Sequence, residues 1–462
     1  MHPNHPFEFN QILSNPTLWN DINYANSTTP LGHGNANFLY GVGTSMYQDS
    51  GATHCPDSQW HTWEKKNPKH DKSGTAVDLF ALYQSAPQEI INRLKLLGVN
   101  TYRFSLEWSH LEPIPGQFNL PQLQTYIEFC KLLRDHHIQP FITLHHFSEP
   151  NWFHQLGSFE KTENIAYFLQ FCKWTCKYLT QDYQGKPLVE YFCTINEPGI
   201  DAYCRYLAGQ FPPNLYCRFK RAANFLSNML EAHCQVYDAL KNTTQDTIQV
   251  GISHQYLPLY SLHFLTHVPA MIINRLFEAV LTYFKTGVFE YKIPFLCHVK
   301  NDRRQHNKPK TDFVGVQFYG RLYLSARGVH PNNKPPTTMW GMHEDPEGLY
   351  EAIIKTHDAF QAPIIISENG ISTDSDEQRS RYISRALYTA EQARQKIGTN
   401  NLIGYILWSF TDNFEWFLGW TPRYGAFPLT PNRKLAENYK LGVKPFVETV
   451  QAWRCSFVLD EN

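Results

Sequence analysis

The fold class this sequence predicts is α/β: a single-domain (β/α)8 (TIM) barrel over residues 1–462, with elaborated βα loops. Three observations predict it. Short β-type runs recur eight times along the 462 residues, helical patterns fill most of the gaps between them, and polar or aromatic residues close the same end of run after run. Alternating strand and helix implies a parallel sheet, and eight such units suffice to close it on itself. No low-complexity linker or composition shift divides the chain.

The first run, Phe38–Gly43, leads to Gln48. A helical pattern at Ala86–Leu97, with Ile90, Ile91, Leu94 and Leu97 on one face, precedes the second run, Thr101–Ser105, which holds Arg103. The third, Phe141–His145, runs into His146. The fourth, Tyr191–Asn196, presents Asn196 and Glu197 just before Pro198, and the fifth is Gln249–Ser253. Next comes an apolar stretch, Leu257–Phe284, broken by His263, His267, Asn274, Arg275 and Glu278. It reads as amphipathic helix and loop, with a surface apolar patch as the alternative, because so many polar groups oppose a bilayer span. The sixth run, Phe313–Tyr319, ends on Tyr319. The seventh, Pro363–Glu368, delivers Glu368 before Asn369-Gly370 and is followed by a helical pattern at Gln378–Lys396. The eighth, Ile403–Ser409, carries Trp408 at its end. The Pro/Asn/Lys-rich pieces Asn301–Lys310 and Pro331–Thr337 read as exposed loops.

Bulk properties exclude several function classes. Lys and Arg number 41 against 42 Asp and Glu, a net charge of −1, which leaves no positive reservoir for a phosphate backbone. Nucleic acid is therefore not an expected partner. The 10 cysteines show no zinc-type spacing, and neither metal nor cofactor is called for. Met1–Asn20 is polar and has no apolar signal core. With free thiols as the simplest account of the cysteines, a cytoplasmic setting is expected.

In a barrel of this type the active site gathers at the C-terminal strand ends, where the interior is otherwise filled with branched aliphatic residues. Gln48, Arg103, His146, Asn196, Glu197, Tyr319, Glu368 and Trp408 all fall there and point to a shared pocket. Two carboxylates about 5 Å apart suit a retaining glycosidase, one attacking the sugar carbon and the other protonating the departing oxygen. Arg103 beside Glu368, with a hydrogen bond from Tyr319, would keep Glu368 ionised as nucleophile. That negative charge would raise the proton affinity of Glu197, which serves as acid and later, once Glu368 is esterified, as base. Taken singly, Arg103 is more often a structural ion-pair partner, His146 a hydrogen-bonded core histidine, and Trp408 and Trp416 packing residues.

These residues lie in a set of longer motifs: Phe38-Leu39-Tyr40-Gly41 with Tyr47-Gln48, Tyr102-Arg103-Phe104-Ser105 followed by Glu107-Trp108-Ser109, Thr143-Leu144-His145-His146-Phe147, Thr194-Ile195-Asn196-Glu197-Pro198, Ile366-Ser367-Glu368-Asn369-Gly370, and Trp408-Ser409-Phe410-Thr411-Asp412-Asn413-Phe414-Glu415-Trp416. From Phe38 to about Tyr439 the chain resembles the family 1 glycoside hydrolases, the β-glucosidases and their relatives. The resemblance implies Glu197 as acid/base, Glu368 as nucleophile, and Arg103 and Tyr319 as its supports. It implies that Gln48, His146, Asn196, Glu415 and Trp416 hold the non-reducing sugar, with Trp408 as the platform beneath it. The Asn413-Phe414-Glu415-Trp416 segment resembles the branch acting on plain sugars, whereas 6-phosphoglycosidases carry a Ser/Lys/Tyr phosphate clamp there. Unphosphorylated β-glucosides, with β-galactosides and β-fucosides beside them, are the implied substrates.

The chain departs from the family pattern in places. Phe147 stands where Trp is usual, Gln317 replaces an Asn, and Met342 takes the place of an aglycone-side Trp, with Trp340 nearby. Two other readings keep the fold: a β-glycosyl transglycosylase using lipid or alcohol acceptors, motivated by Glu107-Trp108-Ser109 and His146-Phe147, which resemble lipid-galactosyl-transferring relatives, and by the apolar Leu257–Phe284, and a non-catalytic sugar-binding protein. The second is opposed by the intact glutamate pair. A small-molecule β-glycoside is the expected partner, with contact to a membrane or lipid glycoside left open.

Overall fold

The structure is a computed structural model and describes residues 29–244, 247–304, 308–325, 328–330, 338–339 and 341–458. The polar N-terminal segment, the predicted loop at 331–337 and Trp340 lie outside the described residues.

Eight parallel strands form a closed barrel. In chain order they are β1 (Leu39–Gly43), β2 (Thr101–Ser105), β3 (Gln139–His145), β4 (Tyr191–Asn196), β5 (Gln249–Gln255), β6 (Phe313–Phe318), β7 (Ile364–Asn369) and β8 (Leu402–Trp408). Each pairs with its sequence neighbours, and β1 closes the ring on β8 with Gly43 opposite Trp408. All eight predicted runs are barrel strands. Tyr319 falls just past the end of β6, and Gln48 lies in the helix Met46–His54 that follows β1.

Strand alternation sorts the side chains into two cores. On β2, Tyr102 and Phe104 point outward to the helices while Thr101, Arg103 and Ser105 occupy the other face. On β6, Val314, Val316 and Phe318 point outward, Phe313 fills the barrel floor, and Gln317 faces in above it. Leu39, Phe141, Cys193, Phe313, Ile365 and Ile406 form that floor. Gly315 is required one layer higher, since a Cβ there would sit 2.3 Å from Ser253 Oγ and 2.5 Å from Ser367 Oγ.

The helices predicted at Ala86–Leu97 and Gln378–Lys396 are present as Pro87–Leu97 and Asp376–Ile397. The first begins with Pro at N1, ends at Gly98 in the left-handed region, and buries Ile90, Ile91, Leu94 and Leu97. The Leu257–Phe284 stretch becomes a short strand, Leu259–Ser261, and the helix Phe264–Thr286. By length and composition this helix could cross a membrane, yet its inner face, including Leu276, Phe277, Val280 and Tyr283, is buried on the barrel. Asn301 and Asp302, expected in an exposed loop, instead close a hairpin of Val288–Ile293 with Cys297–Asp302. Their polar, alternately exposed pattern is that of an edge ribbon, which composition alone does not separate from a loop.

Candidate active site

At the C-terminal ends of the strands a cavity of about 470 Å³ opens, and both Glu197 and Glu368 line it. Local irregularities aim each of them. Opposite β6, the β7 register jumps from Val316↔Ile366 to Gln317↔Glu368, leaving Ser367 as the extra residue of a bulge. Ile364 and Ile366 point outward, so strict alternation would have sent Glu368 into the helix layer. The bulge turns it inward. A register shift between Cys193 and Asn196 on β4 likewise returns Asn196 to the interior. Glu197 then takes a left-handed conformation (φ 44°, ψ 59°) as the N-cap of helix Pro198–Tyr206, with Pro at N1. Such a backbone costs a non-glycine residue on the order of 1–3 kcal/mol and is characteristic of sites where side-chain direction matters more than local comfort.

Glu368 is held at both oxygens. Arg103 Nη1 donates to Oε1 at 2.5 Å, and the Tyr319 hydroxyl donates to Oε2 at 2.5 Å. Arg103 Nη2 donates to Asn196 Oδ1 at 2.7 Å, which also accepts from Gln317 Nε2 at 2.8 Å. With its oxygen doubly engaged, Asn196 turns Nδ2 toward His146 Nε2 at 3.3 Å. That makes Nε2 the acceptor and places the imidazole proton on Nδ1, which has no partner among the described residues. Glu197 Oε1 is also buried and, among the described residues, without a partner.

The remaining wall is aromatic. His146 lies between Trp408 (centroids 5.8 Å apart, planes at 21°) and Trp416 (6.1 Å, 21°). Tyr47 stacks on the far side of Trp416 at 5.9 Å. Gln48 Nε2 donates to Glu415 Oε2 at 2.9 Å. Gly370 lets β8 approach, because a Cβ there would lie 2.0 Å from the Trp408 carbonyl oxygen. Phe147 has a positive φ of 61°, and its carbonyl accepts from Gln59 Nε2, Trp60 Nε1 and Arg205 Nη2 at 2.7, 3.1 and 3.1 Å.

Burial dominates the electrostatics. It pushes Glu197 well above the ordinary carboxylate range, and the charge of Glu368 adds to the rise while Arg103 opposes it. Burial lifts Glu368 too, against the pull of Arg103 and of the Tyr319 and Arg103 hydrogen bonds. The expected support of Glu368 by Arg103 and a Tyr319 hydrogen bond is in place; desolvation raises both carboxyls, and these two donors favour the charge on Glu368 while Glu197, which lacks them, takes up the proton more readily. His146 is pushed well below its usual value by burial and then by Arg103, so it is neutral. Glu415 is raised to about 8, by burial and then by Glu368.

The family model described as glycosyl hydrolase family 1 matches residues 33–284 and 279–440. The chain belongs to glycosyl hydrolase family 1. It is a glycoside hydrolase. Among the relatives of this family 1 chain is a protein named β-glucosidase A from Thermotoga maritima, 27% identical over 423 residues, covering 84% of this chain and 91% of the relative. A protein named 6-phospho-β-galactosidase from Streptococcus mutans is 26% identical over 448 residues, covering 84% and 92%. A solved β-glycosidase from Pyrococcus horikoshii superposes with a TM-score of 0.77 at 27% identity, covering 92% of this chain and 96% of that one. The GH1 β-glucosidase of Exiguobacterium antarcticum B7 shares the fold with a TM-score of 0.78 at 24% identity, covering 92% and 99%.

The family 1 barrel brings every candidate residue to one place. Gln48, His146, Glu197, Tyr319, Glu368, Trp408, Glu415 and Trp416 line the cavity, and Arg103 and Asn196 lie directly beneath through their bonds. Sequence reasoning missed Tyr424, whose ring meets Tyr319 edge-on at 5.4 Å, and the outer lining from Tyr203, Phe211 and Gln255. Tyr424 and Phe211 sit in irregular loops, where no periodicity flags them. Gln255 ends β5, two residues past the predicted end of that strand, and extending the alternation would have found it.

Proposed function

We propose that this family 1 hydrolase is a retaining exo-β-glycosidase acting on unphosphorylated β-glucosides, with β-galactosides and β-fucosides as further substrates. Glu368 is the nucleophile, Glu197 the acid/base, and Arg103 and Tyr319 support Glu368. Gln48, His146, Asn196, Glu415 and Trp416 bind the terminal sugar over Trp408. The observation that carries this reading is the asymmetry of the pair: both oxygens of Glu368 are fixed by donors, while Glu197 faces the same cavity with a free oxygen and a raised proton affinity.

The steps follow from that asymmetry. Glu368 attacks the anomeric carbon as the bond to the leaving oxygen breaks, and Glu197 gives that oxygen its proton. Forming the glycosyl ester removes the charge of Glu368, so the proton affinity of Glu197 falls. Glu197 then takes a proton from water as the water attacks the same carbon and frees Glu368.

The preference for unphosphorylated sugar is supported by the lining: among the described residues of the cavity wall there is no Lys or Arg, and Glu415 occupies the sugar end. The Streptococcus mutans relative carries a 6-phospho name, which makes this the point to test. Ten unpaired cysteines fit work in a reducing, cytoplasmic setting. A 2-deoxy-2-fluoro β-glucoside with a good leaving group is expected to add one sugar mass to the Glu368 peptide. Turnover without any adduct would sink the retaining mechanism, and preferential cleavage of the 6-phosphoglucoside would sink the substrate assignment.

A further inference from the structure

The helix Phe264–Thr286 has two unlike faces. Ala270 and Phe277 on its inner face share one apolar cluster with Leu257, Leu259, Leu322 and Met342, and of these Leu257, Leu322 and Met342 line the catalytic cavity. Its outer face presents Phe264, Leu265, Val268 and Met271, at i, i+1, i+4 and i+7, all exposed, with Phe264 at 77%.

A second apolar feature rises beside it. In the hairpin after this helix, the Tyr291 hydroxyl donates to the Ile272 carbonyl at 3.2 Å, so the strand starting at Val288 climbs back toward the helix's N-terminal end. Its turn carries Phe295 and Leu296, with Phe295 fully exposed. Both features thus lie at the end of the barrel where the cavity opens.

From this we infer that the surface seats the enzyme on a lipid layer, and that the cavity takes the sugar of a β-glycoside whose leaving group is an apolar, lipid-borne chain. The substrate half rests on the glycosidase reading above. Projection and place argue for the occupant. The fully exposed Phe295 on a hairpin tip and the exposed apolar end of the helix stand beside the cavity, the arrangement by which apolar side chains enter the acyl boundary of a lipid layer. The continuity of cluster and cavity gives the reason for the location: a chain leaving the anomeric oxygen meets Leu257, Leu322 and Met342 and then the lipid. Charge over the helix and hairpin is near balance, with Arg275, Lys285, Lys292 and Lys300 against Glu278, Glu290 and Asp302. Apolar insertion is therefore what holds the surface, and neutral lipid suffices.

The test uses the full chain with phosphatidylcholine vesicles, with and without dodecyl β-glucoside, beside a soluble aryl β-glucoside. The wild type is expected to co-sediment with the vesicles at low and high salt. The variant F264S/V268S/F295S, none of whose changes line the cavity, is expected to bind at least about ten-fold more weakly and to lose about ten-fold in hydrolysis of the vesicle-borne glucoside. Its activity on the aryl glucoside should stay at the wild-type level, and F295S alone, at a projecting tip, gives the same direction if the triple variant fails to fold. Hydrolysis without vesicle binding, an unaltered variant, or a lipid-free dimer that the substitutions dissolve would each overturn the surface. Vesicle binding with no cleavage of either glucoside would overturn the glycosidase reading and leave the surface standing.

Discussion

Arg103 and Tyr319 hold Glu368 by different physics. Arg103 is a permanent cation, buried and tied to three oxygens, while Tyr319 contributes one neutral hydroxyl whose own ionisation is pushed well up by burial and by Glu368. Removing the hydroxyl therefore leaves the charge pair intact. Y319F is expected to lower kcat by roughly 10- to 100-fold. A bond that favours the carboxylate is lost, so the folded-state pKa of Glu368 rises and the acid limb of kcat/KM moves to higher pH. A pH profile on one aryl glycoside checks both. E368G should abolish hydrolysis, and azide or formate should restore part of it by filling the vacated carboxylate position. At this scale the sequence was readable for the residues whose chemistry is distinctive. Gln317 read only as a departure from a family pattern, and its function became visible once its amide was found on Asn196 Oδ1.

At the level of elements, the two glutamates depend on strands that break their own period. The run Ile364-Ile365-Ile366-Ser367-Glu368 reads as a buried strand, and a buried strand it is. Its strict alternation, however, predicts Glu368 on the face of Ile364 and Ile366, away from the cavity. A bulge carries no compositional mark in a single sequence, so strand existence was legible and side-chain direction at its end was not. The serine of that bulge is packed against Gly315 and Ser253. G315A is accordingly expected to destabilise the fold by about 1–3 kcal/mol in denaturant titration, through overpacking. Because the added methyl presses on Ser367, kcat should fall in the surviving native fraction as well. An unchanged kcat at reduced stability would detach the bulge from the placement of Glu368.

For the molecule as a whole, several carboxyls are buried without full compensation. Glu415 is raised to about 8 and Asp49 to about 7, in both cases chiefly by burial. An acid whose folded pKa exceeds its unfolded value binds protons more tightly in the native state, so stability is lost as pH rises from the unfolded value toward the folded one. For Glu415 the window runs from about pH 4.5 to about 8, at up to about 1.4 kcal/mol per pH unit. E415Q should therefore narrow the fall in Tm between pH 5 and pH 8, as thermal unfolding at the two pH values will show. Architecture was the most legible property of this chain, because eight periodic runs leave few topologies open. The cavity mouth was the least, since Phe211, Met339 and Tyr424 come from loops that only the closed barrel brings together.

The carbonyl of Phe147 ties three segments to one atom: Gln59 and Trp60 come from the helix Gln59–Lys66 after β1, Phe147 from the loop after β3, and Arg205 from the helix after β4. Opening the segment after β3 withdraws that acceptor and leaves the donors of Gln59, Trp60 and Arg205 unsatisfied in the other two. The three segments are then expected to open as one cooperative unit, and in native-state hydrogen exchange their slow amides should share a single opening free energy.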